Sequence, residues 1–249
     1  MSFFKKSPKF KFYSAVPGVC DEYPIVKSSA HDRKWIKPAV SAFKEKVDNL
    51  DNYDQPVIGI AKCPGVFDIM NIGWIVPAWC DFIIETNCDE QTINWRTPAM
   101  LEGITCGEAF NKPVISFMST VNPTMAIPMK KEDNPFLVKV NTPWVVDIPE
   151  GWALMICPVT YSDDTRFEST TGIITPSTHM EINPQLYWKV KHGKQLVKAG
   201  TPLCQLIPIK LDNTTFSCLE FSSEQLKNQK KMYFKRASTY IRKNNVTRS

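Results

Sequence analysis

The chain has 249 residues, of which 43% are hydrophobic and 11% aromatic. This composition excludes a largely disordered chain, and the length suffices for one large domain with its own core. The formal net charge is +5. No run approaches the roughly 18 to 20 apolar residues of a membrane-spanning helix, and the first residues, Met-Ser-Phe-Phe-Lys-Lys, lack the apolar segment of a secretory signal.

Basic residues are concentrated near the two ends of the sequence. Residues 5–11 contain four lysines and residues 227–249 contain eight Lys and Arg, and neither segment has an acidic residue. Such segments can bind nucleic acid, a membrane surface or an acidic protein, or can remain solvated. The eight cysteines include no Cys-x-x-Cys pair, so we expect free thiols in a reducing cytosol.

The first part of the chain predicts several strands and one helix. Residues 9–13 alternate charged and aromatic side chains, which is typical of a strand. Residues 38–50 place apolar side chains at helical spacing behind Pro38, so they predict a short helix. Residues 73–76 and 78–84 are apolar runs that predict two further strands.

Cys63 and Asp68 lie close together in the sequence and could suggest a nucleophile or a metal site. We expect the Cys63-Pro64 pair to be unfavourable for a helix N-terminus that would lower the pKa of the thiol. No His is near them in the sequence. We therefore interpret Cys63 as a structural residue.

Residues 141–210 organise the fold, because short apolar runs alternate there with Pro, Gly, Asn and Lys. This spacing predicts a mainly β protein with a jelly-roll or β-sandwich-like core. We predict one mainly β domain over residues 1–221, of which residues 1–56 could form a subdomain. The apolar runs are residues 144–148, 152–159, 172–175, 186–190 and 203–209.

Residues 222–249 predict an amphipathic basic helix followed by a tail. Ser222 and Gln225 match a capping box, in which the two side chains cap each other's backbone N–H groups. The apolar residues that follow fall on one helical face, and Lys and Arg occupy the other. The candidate partner-binding residues are Lys227, Lys230, Lys231, Lys235, Arg236, Arg242 and Lys243.

The sequence contains no recognisable catalytic set and predicts no cofactor. It has neither a Gly-x-Ser-x-Gly nucleophile turn nor a glycine-rich phosphate-binding loop. His179 and Glu181 are the only weak metal candidates, since alternation would place both on one face of a strand. A third ligand would have to come from elsewhere in the sequence, such as His192 or Asp147, and two-residue His/Glu coincidences of this kind are common.

Three blocks resemble the pattern of the trimeric dUTPase and dCTP deaminase fold. Residues 148–152 (IPEGW), 172–175 (GIIT) and 200–207 (GTPLCQLI) match its IPxG, GVID and GxRxAQL strands. Residues 158–161 read Pro-Val-Thr-Tyr where those enzymes have Pro-Arg-Ser-Gly, and Thr175 replaces the Asp that activates water. The glycine-rich C-terminal arm with its Phe is also missing. The resemblance implies a similar β arrangement without the activity.

Several spaced blocks between residues 57 and 210 resemble a family of uncharacterised proteins from tailed phages, many of them marine. This resemblance implies a viral setting and no particular activity. The blocks are Lys62-Cys-Pro64 with Asp68, Met70, Gly73 and Trp74; Pro143-Trp144 with Pro149 and Gly151; residues 172–175; Ile182-Asn183 with Trp188; and residues 200–208.

The leading hypothesis is a non-enzymatic phage protein, either a virion component or an assembly factor, that acts through protein–protein contacts. Its partners would be other phage proteins or further copies of itself, in the host cytoplasm during infection or in the virion. One alternative is a nucleotide- or metal-dependent enzyme on a dUTPase-like or cupin-like scaffold. Another is a nucleic-acid-binding protein that uses its basic ends.

Overall fold

Strands account for most of the regular structure in this computed structural model. The residues that the structure describes are 8–48, 60, 63–87, 93–98, 112–119, 136–176, 180–212, 215, 217–219 and 222–245. The chain divides into two units, Met1–Leu211 and Asp212–Ser249. The sequence-based boundary at residue 221 stays a prediction.

The described elements are fourteen strands, four α-helices and one short 3-10 helix (Ser28–Ala30). The helices are α1 (Val19–Glu22), α2 (Ile36–Asp48), α3 (Pro64–Asn71) and α4 (Ser223–Asn245). The strands are β1 (Lys11–Ser14), β2 (Val26–Lys27), β3 (Trp74–Pro77), β4 (Phe82–Asn87), β5 (Ile93–Arg96), β6 (Ile115–Ser119), β7 (Phe136–Val140), β8 (Trp144–Asp147), β9 (Trp152–Cys157), β10 (Phe167–Ser169), β11 (Gly172–Ile174), β12 (Gln185–Trp188), β13 (His192–Val197) and β14 (Pro202–Lys210).

The strands form four sheets in which every described pair is antiparallel. Their strand orders are β1-β8, β10-β12-β7-β6, β11-β9-β14-β3-β2 and β13-β4-β5. Buried side chains from all four sheets belong to one hydrophobic cluster. The predicted mainly β class is confirmed, together with the short helix in the N-terminal third and the basic C-terminal helix.

Strand β14 is the centre of the five-stranded sheet. It pairs with β9 on one side and with β3 on the other. Residues 203–207 are all buried, as expected for a central strand that is covered on both faces. Because β14 joins β3 to β9, it connects two parts of the chain that lie far apart in sequence.

Four tryptophans of the strands β3, β8, β9 and β12 divide into two pairs. Trp144 and Trp188 are buried, with 2% and 0% of their surface exposed. Trp74 and Trp152 are half-buried, and the Phe10 ring lies 5.3 Å and 6.0 Å from theirs. The N-terminal aromatic segment therefore covers the outer pair, while the inner pair fills the core.

Helix α3 begins where the sequence argued against a helix start. Cys63 is its N-cap residue and Pro64 occupies the first turn. Pro is well tolerated there, since the first backbone N–H groups of a helix have no partner within the helix. The helix continues from there to Asn71. The Cys63 thiol is exposed.

Candidate functional site

Helix α4 begins with the capping box that its sequence predicts. The Ser222 backbone N–H donates to Gln225 Oε1 at 2.8 Å, and the Gln225 backbone N–H donates to Ser222 Oγ at 3.2 Å. Reciprocal bonds of this kind satisfy donors that a helix end otherwise leaves to water. The start of α4 is therefore fixed by its own local sequence.

Large apolar side chains of α4 are exposed. The exposed fractions are 43% for Leu226, 55% for Met232, 65% for Tyr233 and 78% for Phe234. Leu226 and Tyr233 are seven residues apart, so they lie on the same side of the helix two turns apart. Exposed apolar residues that cluster in this way are typical of a surface that binds another molecule.

Basic side chains accompany this apolar surface. Lys227, Lys230 and Lys231 are exposed, and no carboxylate among the described residues forms an ion pair with any of them. Lys235 is exposed on the next turn. The candidates Arg236, Arg242 and Lys243 belong to the same helix, and their side chains lie outside the described part of the structure. The partner-binding role of these residues stays a prediction.

The structure gives Glu181 a clear environment. Lys112 Nζ lies 2.7 Å from both carboxylate oxygens, and Asn183 Nδ2 donates to Glu181 Oε2 at 3.0 Å. The hydrogen bond from Lys112 is the main reason why the pKa of Glu181 lies below its ordinary value. His179 lies outside the described residues, so the predicted pair with Glu181 is untested.

The two proposed third ligands lie on different strands. Asp147 is on β8, where it forms an ion pair of 3.1 Å with Lys11. His192 is exposed at the start of β13. Among the residues that the structure describes, no group of three His, Cys, Asp or Glu side chains could hold a metal ion.

Two cavities of about 480 Å³ and 570 Å³ share three lining residues, which are Pro158 and the β10 residues Glu168 and Ser169. The smaller one has an apolar floor that includes Met155 and Leu203, and the loop of residues 158–165 contributes hydroxyl groups to its wall. Glu168, at the boundary between them, forms a 2.6 Å ion pair with Lys189.

The loop of residues 158–165 is held by a segment from the start of the chain. The buried Arg33 donates from Nε to the Thr160 carbonyl at 2.9 Å. The Lys34 backbone N–H donates to Asp163 Oδ2 at 2.9 Å, and Trp35 Nε1 donates to the Tyr161 carbonyl at 3.0 Å. Burial lowers the pKa of Arg33, and the charge of Asp163 acts in the opposite direction.

Gln205 supports the same loop from inside the sheet. Its side chain is fully buried on β14. Nε2 donates to the carbonyls of Ile69 and Ile72 at 2.9 and 2.8 Å, and Oε1 accepts from the Thr160 backbone N–H at 3.2 Å. All the polar atoms of this amide are thus used to hold α3 and the loop in place.

Sequence reasoning missed both Arg33 and Gln205. A usable signal existed for Gln205, which is the only polar residue in the apolar run from residue 203 to 207. A polar side chain at such a position must find buried partners. Arg33 gave no such signal, because its acceptor at Thr160 is 127 residues away in the sequence.

The comparisons with known proteins find distant likenesses among solved structures. No protein-family model and no curated protein matches the chain. Among solved structures, a dUTPase from phage phi11 of S. aureus has 12% identity and a TM-score of 0.32, over 70% of this chain and 94% of that one. The dUTPase of Staphylococcus bacteriophage 80alpha has 12% identity and a TM-score of 0.33, over 70% and 95%. Likeness at this level assigns no activity.

None of the described helices is long and apolar enough to cross a membrane. The longest of them, α4, combines its exposed aromatic residues with a high density of Lys and Arg.

Proposed function

We propose that the protein is a non-enzymatic bacteriophage structural or assembly protein that acts through protein–protein contacts made by α4. One observation carries this proposal: Leu226, Met232, Tyr233 and Phe234 are exposed on a helix that also presents exposed lysines. Leaving such side chains in water is unfavourable by roughly 25 cal/mol per Å² of apolar surface, so a partner that buries them gains binding energy.

The unit Met1–Leu211, which contains all the described strands, is called the β unit here. Its polar groups support a scaffold role. Both carboxylate oxygens of Glu181 are occupied by Lys112, and Asp164 is held by Arg166 at 2.6 Å. The amide of Gln205 and the guanidinium of Arg33 bind backbone groups. Each of these side chains already has partners that fix the fold, which leaves them poorly suited to bind or activate a substrate.

The phage setting rests on the blocks that resemble tailed-phage proteins. Two of those blocks meet in the structure, since β3 pairs with β14 and Gly73 lies against the backbone of Leu206. The residues that carry the resemblance therefore include positions that the packing of these strands requires. The blocks support a shared fold, and the proposed assembly role adds α4, which lies outside them.

The proposal can be tested with a photo-crosslinking amino acid during phage infection. One variant carries p-benzoylphenylalanine at Tyr233 on α4, and the control carries it at Tyr13 on β1, which is also exposed at 51%. We expect crosslinks to phage-encoded proteins from position 233 and few from position 13. Mass spectrometry of the crosslinked bands identifies the partners.

The enzymatic alternative is tested on the purified protein with dUTP and dCTP. These are the substrates of the enzymes that residues 148–207 of this chain resemble in sequence pattern. We expect no hydrolysis above that of a buffer control. Turnover of either nucleotide, or equal crosslinking from the two positions, would contradict the proposal.

A further inference from the structure

The apolar and the basic side chains of α4 lie on the same turns of one helix. We infer that α4 binds in an apolar groove with an acidic rim on a partner protein. This inference rests on the proposed protein–protein function and names the chemistry of the partner. It is carried by the exposure of the apolar residues together with the sign and density of the surrounding charge.

The apolar residues of α4 are the ones that contact the floor of the partner's groove. Leu226 and Tyr233 recur at the i, i+7 spacing by which a single helix anchors itself in a groove, and Phe234 extends this surface sideways. The spacing does not continue as an a/d heptad, since Lys230 and Asn244 occupy positions that a coiled coil would fill with apolar residues. A groove fits this helix better than a matching second helix does.

The basic residues of α4 are the ones that face the acidic rim of the partner's groove. Lys227 and Lys231 are one turn apart, and both are exposed and without a carboxylate partner among the described residues. The helix Ser223–Asn245 carries seven Lys and Arg and one acidic residue, Glu224. Pairing with an identical helix would oppose two sets of like charges, whereas carboxylates beside the groove would attract them.

Nucleic acid would satisfy the lysines but not the apolar residues. A phosphate backbone binds Lys227 and Lys231 through charge alone, and bases could stack on Tyr233 or Phe234. Leu226 and Met232 present aliphatic surface that neither phosphates nor bases bury well. An acidic groove accounts for both kinds of side chain.

The test uses the full-length chain and Ca²⁺-loaded calmodulin as a probe, because calmodulin is an acidic protein with a Met-rich apolar groove that accepts basic amphipathic helices. The variants are Tyr233→Ser, which removes an apolar anchor, and Lys227→Gln with Lys231→Gln, which removes two rim charges. The matched control, Lys44→Gln with Lys46→Gln, makes the same charge change at two exposed positions on α2.

We expect fluorescence anisotropy to show binding to calmodulin that weakens about tenfold or more in Tyr233→Ser, as for an aromatic anchor in a groove. The Lys227/Lys231 variant should weaken severalfold and the control by less than about twofold. Circular dichroism should show unchanged helix content, since the substituted residues are exposed.

The binding of each protein variant to duplex DNA of about 20 base pairs and to phosphatidylserine vesicles is measured in parallel. Calmodulin binding that is absent or unaffected by Tyr233→Ser would overturn the inference. It would also be overturned by tighter binding to DNA or vesicles that depends on the lysines alone. The crosslinking experiment in infected cells is independent of the probe, so a failed proposed function is distinguishable from a wrong partner chemistry.

Discussion

Among the glycines that the structure describes, Gly73 should tolerate substitution least, and Gly151 provides a matched control. Both adopt left-handed backbone conformations, with φ of +77° and +75°. A Cβ added at Gly73 would lie 1.8 Å from the carbonyl oxygen of Leu206 and 2.9 Å from its carbonyl carbon, whereas one at Gly151 would meet nothing within 4 Å. The two substitutions therefore share the conformational cost and differ in the clash.

The magnitudes follow from that difference. Alanine in a left-handed conformation costs roughly 1–2 kcal/mol, which is the whole effect expected for Gly151→Ala. In Gly73→Ala the clash is with the backbone of the central strand β14, which cannot shift without disturbing its bonds to β3 and β9. We expect a total loss of about 4 kcal/mol or more, which places it among the exceptional substitutions.

Urea unfolding followed by tryptophan fluorescence measures both variants. We expect the free energy of unfolding to fall at least about 2 kcal/mol further in Gly73→Ala than in Gly151→Ala. A Gly73→Ala protein that aggregates, while Gly151→Ala stays folded, agrees with the same reasoning. Equal stability of the two variants would refute it, because β14 would then have room for the methyl group.

Two further predictions concern ionisation. Burial raises the pKa of Asp164, but the hydrogen bonds and the charge of Arg166 outweigh this effect, so the pKa lies below the ordinary value of 3.8. The Asp164–Arg166 pair therefore stabilises the fold at neutral pH, and this stabilisation is lost as the carboxylate protonates. Between about pH 5 and pH 3, the melting temperature should fall more steeply for the wild type than for Asp164→Asn, and parallel curves would contradict this. Burial, and to a lesser extent the charge of Asp81, raises the pKa of Cys80 to about 12. When the protein is treated with iodoacetamide at about pH 8, peptide mass spectrometry should find the exposed Cys63 alkylated well before Cys80. Equal alkylation rates of the two cysteines would contradict this prediction.

The parts of the fold that could be predicted are those whose signals are local. The apolar runs at residues 144–148 and 203–209 correspond to β8 and β14, since side-chain composition and the flanking Pro and Gly act within a few residues. The strand at residues 9–13 and the helix at residues 38–50 correspond to β1 and α2, each displaced by two residues at its start. Element boundaries depend on pairing and packing, which propensity does not encode.

The strands that were missed are stabilised by distant partners. β10 has only three residues and lies inside a polar stretch. Its single sign of strand alternation is that Phe167 and Ser169 are buried while Glu168 between them is exposed. β13 (His192–Val197) is largely polar, yet it pairs with β4 along its whole length. Nothing in a local window identifies such strands, because the neighbouring strand supplies their hydrogen bonds.

The candidate site shows the same contrast. The start of α4 and its amphipathic character could be predicted, since Ser222 and Gln225 cap each other within four residues. The bonds of Arg33 and Lys34 to the loop near Thr160 and Asp163 could not be predicted, because their partners are 127 and 129 residues away. Contacts of this range are fixed by the topology of the sheets rather than by any motif.

The position of β14 has a consequence for how the protein folds. Strands β3 and β9 are both synthesised before β14, although β14 lies between them in the sheet and is the last described strand of the chain. Until residues 202–210 emerge, the facing edges of β3 and β9 have no partner and expose buried-type side chains. We expect slow, late closure of this sheet, typical of folds rich in non-local pairing, and a nascent chain that benefits from chaperones during its synthesis.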